Sequence, residues 1–295
     1  MSRQQVEKLR RAYARQMLAA CGISDNPELL RAFASVPREN FLGPPPFGML
    51  GFGLPTPVSP ENLDRIYRDV LFVLDAEKGI NNGQPSLHAL VIDALAVKPG
   101  DSIAHIGAGT GYYTAILAEI VGPSGHVLAV EADTRLGEMA RANLDTYDNI
   151  EVVVGDGADY PEQAVDGVDV NFAVAAPAAN WIEHLAPGGR LVFPLGVPAG
   201  DDDGIRYSLH GAMFLIERRG AAFAAQLLCP VAFVFGVAGA GRADAELVAQ
   251  LRRAFALSRI GDVKSLIWRK PADPARCWFH SRDWSLSYDP PDGAG

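Results

Sequence analysis

The chain has 295 residues with a formal net charge of −9, and both numbers exclude more than they specify. That length carries one large domain, or one domain with an extension, and ample core, while the acidic balance gives no broad affinity for nucleic acid. No apolar run reaches the roughly 18 residues of a membrane-crossing helix, and Ser2–Lys8 lacks the apolar core of a signal peptide.

Residues 3 to 35 read as two helices, the second started by Asp25-Asn26-Pro27. Residues 43 to 60 are rich in proline and glycine, with Phe47, Met49, Leu50 and Phe52 among them. This reads either as a cap over an apolar substrate or as a linker or surface arm. Residues 61 to 236 read as a catalytic body and 237 to 295 as a C-terminal extension. The extension is expected to hold a helix from Ala243 to Arg259 and strands over Lys264–Arg269 and Trp278–Tyr288. Three of the four tryptophans, Trp268, Trp278 and Trp284, fall in the extension and read as the small core of an added module. Asp201-Asp202-Asp203-Gly204 lacks the alternating ligands of a calcium loop and reads as a solvated turn. Cys21, Cys229 and Cys277 are odd in number and far apart. They read against a disulfide framework or a zinc site and for a reducing cytoplasm, and the histidines show no metal-ligand spacing.

The chemistry concentrates in the body. The stretch Ile103-Ala104-His105-Ile106-Gly107-Ala108-Gly109-Thr110-Gly111-Tyr112 runs from an apolar strand through a glycine cluster into a helix over Tyr113–Val121. Glycines there allow a sharp turn and a close backbone approach to a cofactor. A dinucleotide fingerprint would place its third glycine at position 112, which is Tyr112. The pattern is instead Gly-x-Gly-x-Gly, the form used with S-adenosylmethionine. A second strand, His126–Val130, ends in Glu131, where a carboxylate can accept both hydroxyls of a ribose. A third, Ile150–Val154, closes on Gly155-Asp156-Gly157, where Asp156 can accept from an adenine amine. A fourth spans Val168–Val174, and Leu185-Ala186-Pro187-Gly188-Gly189 turns into a fifth ending at Phe193. Strands over Ala212–Glu217 and Gln226–Phe235 close the order.

With these residues in place, the chain resembles the protein-L-isoaspartate O-methyltransferases, a branch of the class I methyltransferases. Lys98-Pro99-Gly100-Asp101, Gly155-Asp156-Gly157 and Pro187-Gly188-Gly189-Arg190-Leu191-Val192 carry the likeness. So do Gly83-Gln84-Pro85-Ser86-Leu87-His88-Ala89 and Val36-Pro37-Arg38, and the likeness covers residues 26 to 236. The resemblance implies an α/β fold: a Rossmann-like, seven-stranded methyltransferase sheet with helices on both faces, plus N-terminal helices and a small C-terminal extension. It also implies bound S-adenosylmethionine and methylation of a carboxylate on a peptide or protein. The expected cofactor residues are Gln84, His105, Gly107, Ala108, Gly109, Gly111, Tyr112, Glu131, Asp156 and Gly157. On the acceptor side stand Asn82, Ser86 and His88, with Asn81 beside them.

Two positions depart from the family pattern. Gly83 stands where the family has a serine, and His105 stands where the first strand usually carries an acidic residue. An ionised carboxylate needs orientation, not a general base, whereas a hydroxyl acceptor would need one, with His88 first in line. Two other readings follow: a small-molecule O-methyltransferase on the same fold, or a cofactor-binding protein without turnover that acts through its tail.

Overall fold

The computed structural model describes residues 1–51, 53–198, 207–236 and 244–291. Its contacts divide into two units, Met1–Gly155 and Asp156–Gly295.

In the first unit, helix α1 (Arg3–Ala20) starts on a reciprocal cap. The Ser2 hydroxyl accepts from the Gln5 backbone while the Gln5 side chain accepts from the Ser2 backbone. Helix α2 (Pro27–Ser35) has Pro27 at its first position and Asn26 as cap, accepting from Leu29 N at 2.9 Å. The proline-rich segment that follows is a short antiparallel hairpin, β1 (Phe47–Met49) with β2 (Thr56–Val58). Phe47 is buried and sits edge-on to Phe72 at 6.4 Å, so this end of the segment belongs to the core. At the hairpin's end Leu54 stands in solvent, and Phe52 lies outside the described residues.

Helix α3 (Leu63–Ile66), the paired strands β3 (Val73–Asp75) and β4 (Ile80–Asn81), and helix α4 (Pro85–Leu95) come next. Then follow β5 (Ser102–Ile106), α5 (Tyr112–Val121), β6 (His126–Glu131), α6 (Thr134–Asn143) and β7 (Ile150–Val154). The three strands of this run form a parallel ladder, with Ile103 opposite Val127 and Val130 opposite Val153. Each strand is followed by a crossover that returns the chain in the same direction. As the apolar runs require, Ile103, Ile106, Val127 and Val130 are buried. Tyr13, Phe33, Tyr112, Ile116 and Leu144 join the N-terminal helices and α5 in one hydrophobic cluster.

The second unit holds β8 (Val165–Val170), α7 (Ala179–Glu183), β9 (Leu185–Pro198), β10 (Ser208–Arg219) and β11 (Ala222–Pro230). After these come α8 (Ala245–Phe255), β12 (Ser265–Trp268), β13 (Cys277–His280) and β14 (Trp284–Ser287). Strands β8 and β9 are parallel; from β9 onward the pairings are antiparallel.

Several boundaries differ from the sequence reading. The fourth strand ends at Val170, and Ala173 and Val174 make single bridges to Phe235 and Leu195. The closing hairpin turns at Gly220, whose φ of +61° suits a tight turn. Its second strand therefore starts at Ala222 rather than Gln226 and stops at Pro230. The tail helix starts later than expected because Asp244 caps it, accepting from Glu246 N at 3.0 Å; Ala243 itself lies outside the described residues. The stretch 278–288 is two strands, broken by a turn in which the Ser281 hydroxyl donates to Trp284 O at 2.7 Å.

The largest difference is the tail's role. Phe223 pairs with Leu266 and Ala224 with Ser265, so β12, β14 and β13 continue the ladder beyond β11 instead of forming a separate module. Among the described residues the first unit's parallel ladder has three strands and the second unit's ladder seven, against seven expected for the whole sheet. The tail's three strands are the excess. Trp278 is buried against Phe255 at 5.1 Å and Phe214 at 6.3 Å, which fixes the tail to β10 and α8. The aspartate run 201–203 lies outside the described residues.

Candidate active site

The glycine loop is built as the sequence pattern requires. Gly107, Gly109 and Gly111 have φ values of +82°, +58° and +94°, a region in which a Cβ is strained. The backbone N–H groups of Gly107 and Ala108 donate to Val130 O at 2.8 and 3.0 Å, tying the loop to the end of β6. A Cβ on Gly111 would stand 2.7 Å from Leu144, so tight packing also demands glycine there. At Gly109 the surroundings are different. A Cβ would meet only Leu74, at 3.7 Å, so the loop keeps a small open cradle on that side.

Glu131 closes the cradle. One carboxylate oxygen accepts from Gly109 N at 2.7 Å and the other from Asp133 N at 2.9 Å. Burial pushes its carboxyl above the usual range, while these backbone donors pull the other way. A carboxylate oxygen accepts more than one hydrogen bond, so a ribose diol has acceptors already oriented by the backbone. The open cradle and the fixed carboxylate fit the ribose end of S-adenosylmethionine. Near the loop, the segment from β3 to β4 is clasped to the start of α6: Lys78 pairs with Asp133, and Arg135 reaches Asp75 at 3.2 Å and Leu74 O at 3.0 Å.

Other expected cofactor residues serve the scaffold with their side chains. His105 is fully buried and shares a 2.8 Å hydrogen bond between Nδ1 and the Thr114 hydroxyl of α5. Burial lowers its pKa to about 4, so the imidazole is neutral. Tyr112 turns its ring into the aromatic cluster, 5.7 Å from Phe41 and 6.5 Å from Phe33, leaving its backbone at the start of α5. In the second unit, Asp156 caps the short turn Gly157–Asp159, accepting from Ala158 N at 3.0 Å, and Gly157 O accepts from Trp181 Nε1 at 2.8 Å.

On the acceptor side the loop from Asn81 to Ser86 is held from several directions. Gly83 N donates to Asn81 Oδ1 at 2.9 Å, and Gly83 O accepts from the Tyr113 hydroxyl at 3.1 Å. Asn82 pairs with Phe72 in both directions, its N donating at 3.0 Å and its Oδ1 accepting at 2.7 Å; its Nδ2 is enclosed without a partner. Ser86 commits its hydroxyl proton to Asp69 Oδ2 at 2.6 Å, and Gln84 Nε2 donates to the same oxygen at 3.0 Å. His88 is buried, stacked on Tyr113 at 3.6 Å, with neither ring nitrogen partnered. Burial, then the neighbouring His105 and Arg38, hold its pKa well below the usual imidazole value.

Two residues organise this loop that sequence reasoning did not assign to the site. Asp69 accepts from Ser86 N at 2.9 Å as well as from both side chains, so it caps the start of α4 from 17 residues away. Arg38, fully buried, donates to the carbonyls of Ile66, Arg68 and Val70 at 2.8, 2.7 and 2.6 Å. It thereby fixes the backbone that presents Asp69. The motif Val36-Pro37-Arg38 pointed to Arg38 as part of a family pattern, but nothing local showed what it would grip.

Residues 58–233 match the family model described as Protein-L-isoaspartate(D-aspartate) O-methyltransferase (PCMT). A protein-L-isoaspartate O-methyltransferase of Ignicoccus hospitalis is 30% identical over 234 residues, covering 78% of this chain and 97% of that protein. The one of Aeropyrum pernix is 34% identical over 198 residues, covering 65% of this chain; the chain spans 66% of that relative's length. A solved protein-L-isoaspartate O-methyltransferase superposes with a TM-score of 0.62 at 25% identity, covering 88% of this chain and 73% of that one.

Proposed function

Because the chain belongs to the protein-L-isoaspartate O-methyltransferase family, whose members are S-adenosylmethionine-dependent O-methyltransferases, we propose that it methylates a carboxylate on a peptide or protein, through an acceptor site reshaped around Gly83. The observation that carries the cofactor half is Glu131, set by Gly109 N and Asp133 N beside the open face of the glycine loop. Glu131, Gly107, Ala108, Gly109 and Gly111 would hold the ribose end, and the sequence pattern gives the adenine amine to Asp156. When bound, S-adenosylmethionine supplies an electrophilic methyl group on a sulfonium that leaves as a neutral sulfide.

The chain's own residues then have to align an acceptor and exclude water. A carboxylate is ionised at neutral pH and brings its own nucleophilic oxygen. Both imidazoles near the acceptor loop suit that acceptor better than a hydroxyl. His88 and His105 are held neutral with pKa values far below neutrality, and a base of that kind takes a proton poorly. The small-molecule reading with His88 as base is therefore the less favoured one. Gln84 is exposed on the acceptor loop, and Asp69 with Ser86 fixes the start of α4.

Among the described residues no helix is long and apolar enough to cross a membrane, and Cys21, Cys229 and Cys277 are free thiols. The test is transfer of labelled methyl from S-adenosylmethionine to a peptide set with isoaspartyl, aspartyl and C-terminal carboxylates, beside a panel of small hydroxyl and carboxyl acceptors. Label released by mild base marks a methyl ester. Base-stable label on a hydroxyl compound, with none on the peptides, would replace this reading by the small-molecule one.

A further inference from the structure

We infer that Lys78 and Arg135 gate the cofactor site: their ion pairs fasten the segment from β3 to β4 as a strap across the cradle, and the cofactor exchanges when the strap unfastens. This rests on the reading of Gly109 and Glu131 as the ribose site.

The strap is held in two different ways. Its base is pinned by hydrogen bonds: Asn82 N donates to Phe72 O at 3.0 Å, and Phe72 N donates to Asn82 Oδ1 at 2.7 Å. Phe72 and Asn82 are buried, but no residue from Val73 to Asn81 is. The strands pair at Val73 with Asn81 and at Asp75 with Ile80, and so short a hairpin has little stability of its own. Charge holds the far end. Lys78 pairs with Asp133 and lies 3.9 Å from Asp75, while Arg135 donates to Asp75 at 3.2 Å and to Leu74 O at 3.0 Å. The side chains of Asp75 and Asp133 are only 14% and 11% exposed, whereas both cations are about half in solvent. A lone exposed pair contributes little; a network around enclosed carboxylates contributes more, and salt screens it. Burial works against both carboxyls, yet the backbone and cationic donors outweigh it and hold them below the ordinary carboxylate range, so the network stays charged at neutral pH.

The strap spans both sides of the ribose site. Leu74 Cδ1 is the atom nearest a Cβ built on Gly109, at 3.7 Å. At the other end, Asp133 donates its N–H to Glu131 at 2.9 Å. Its carboxylate holds Lys78 and caps α6, accepting from Leu136 N at 3.0 Å. One end of the strap therefore lies over Gly109, and the other is tied two residues beyond Glu131. The guanidinium that binds Asp75 also holds the carbonyl of Leu74, so breaking the ion pairs frees the side chain that meets the cradle. A ligand set between Gly109 and Glu131 is bounded by this strap.

The test uses the full chain and S-adenosylhomocysteine, which has no net charge at neutral pH, so salt acts on its exchange through the protein. Stopped-flow binding and displacement give both rate constants, and calorimetry gives Kd. Lys78→Ala and Arg135→Ala should each raise association and dissociation by roughly fivefold or more, with Kd changed less than about threefold, because a gate speeds both directions alike. Lys78→Arg keeps the charge and should keep the natural rates. Raising sodium chloride from about 0.05 to 0.5 M should speed exchange in the natural protein roughly threefold, and hardly at all in the double alanine variant. Without any ligand, amide exchange over residues 74–80 should quicken in both alanine variants, which reads the clasp alone. Unchanged rate constants would overturn the gate. So would a dissociation rate that rises in step with Kd while association stays constant, which would make these residues plain cofactor contacts. A natural protein that binds no S-adenosylhomocysteine, although its amide exchange depends on the clasp, would instead overturn the cofactor reading.

Discussion

Replacing Glu131 by glutamine separates its binding role from its structural one. In the folded protein its two oxygens accept from Gly109 N at 2.7 Å and Asp133 N at 2.9 Å. Glutamine keeps one acceptor and turns an amide N–H₂ toward the other backbone donor, which leaves that donor unmade at a cost of about 1–3 kcal/mol. Against this, the substitution removes a charge that burial already disfavours, as the raised pKa shows. The two effects oppose each other, so stability should change by no more than ~1–2 kcal/mol. Cofactor affinity has no such offset. A ribose hydroxyl loses a charged acceptor, worth roughly 1.5–3 kcal/mol, or about 10- to 150-fold in Kd. Calorimetric titration with S-adenosylmethionine, read beside thermal melts, measures both. Unchanged affinity in a folded Glu131→Gln protein would refute the assignment of this carboxylate to the ribose. The natural protein should also lose cofactor affinity on acidification, beginning above the ordinary carboxylate range, because protonation converts an acceptor into a donor.

Arg38→Met should be strongly destabilising, by about 3 kcal/mol, because three backbone carbonyls, that of buried Ile66 among them, lose a charged donor at once; in a variant that still folds, acceptor KM should rise more than cofactor Kd, and equal changes in both would count against its hold on the acceptor loop. Asp169 is fully buried with Oδ2 unpartnered, and burial raises its pKa to about 7. The folded state therefore binds this proton more tightly than the unfolded chain. The stability it contributes is complete below about pH 4 and declines as pH rises toward 7, by at most roughly 1.4 kcal/mol per pH unit. Asp169→Asn should gain on the natural protein across that window in melts from pH 4 to 8, and a pH-independent difference would contradict the burial argument. Gly109→Val should block S-adenosylmethionine binding because its branched side chain enters the open cradle, while its positive φ adds about 1–2 kcal/mol of strain; binding at natural affinity would show that the cradle is not the cofactor's.

The parts legible in the sequence are those that local pattern encodes. Apolar runs ending in Gly107, in Glu131 and in Gly155-Asp156-Gly157 placed three parallel strands within a residue of their observed limits, because strand, turn and helix each leave a short-range signature. Asn26 and Pro27 announced a helix start for the same reason. What pattern does not encode is the partner of a side chain across tens of residues. Arg38 reaches carbonyls 28 to 32 positions away and Asp69 reaches Ser86 17 away; backbone carbonyls carry no residue identity to read. Gly83 was legible as a departure, but the collision of a Cβ there with His88 was not, since it exists only once α4 stacks the ring on Tyr113. The tail's strands were visible from their aromatic and β-branched content. That they extend a ladder rather than close on themselves depends on the exposed edge of β11, which only the fold presents.

The most direct test of the central claim is single-turnover methyl transfer with S-adenosylmethionine labelled in the methyl group and an isoaspartyl peptide beside its aspartyl counterpart. Base-labile label on a peptide carboxylate is expected, with one S-adenosylhomocysteine formed per methyl transferred and loss of transfer in Gly109→Val. Formation of no S-adenosylhomocysteine with any carboxylate, by a protein that calorimetry shows to bind S-adenosylmethionine, would contradict that claim.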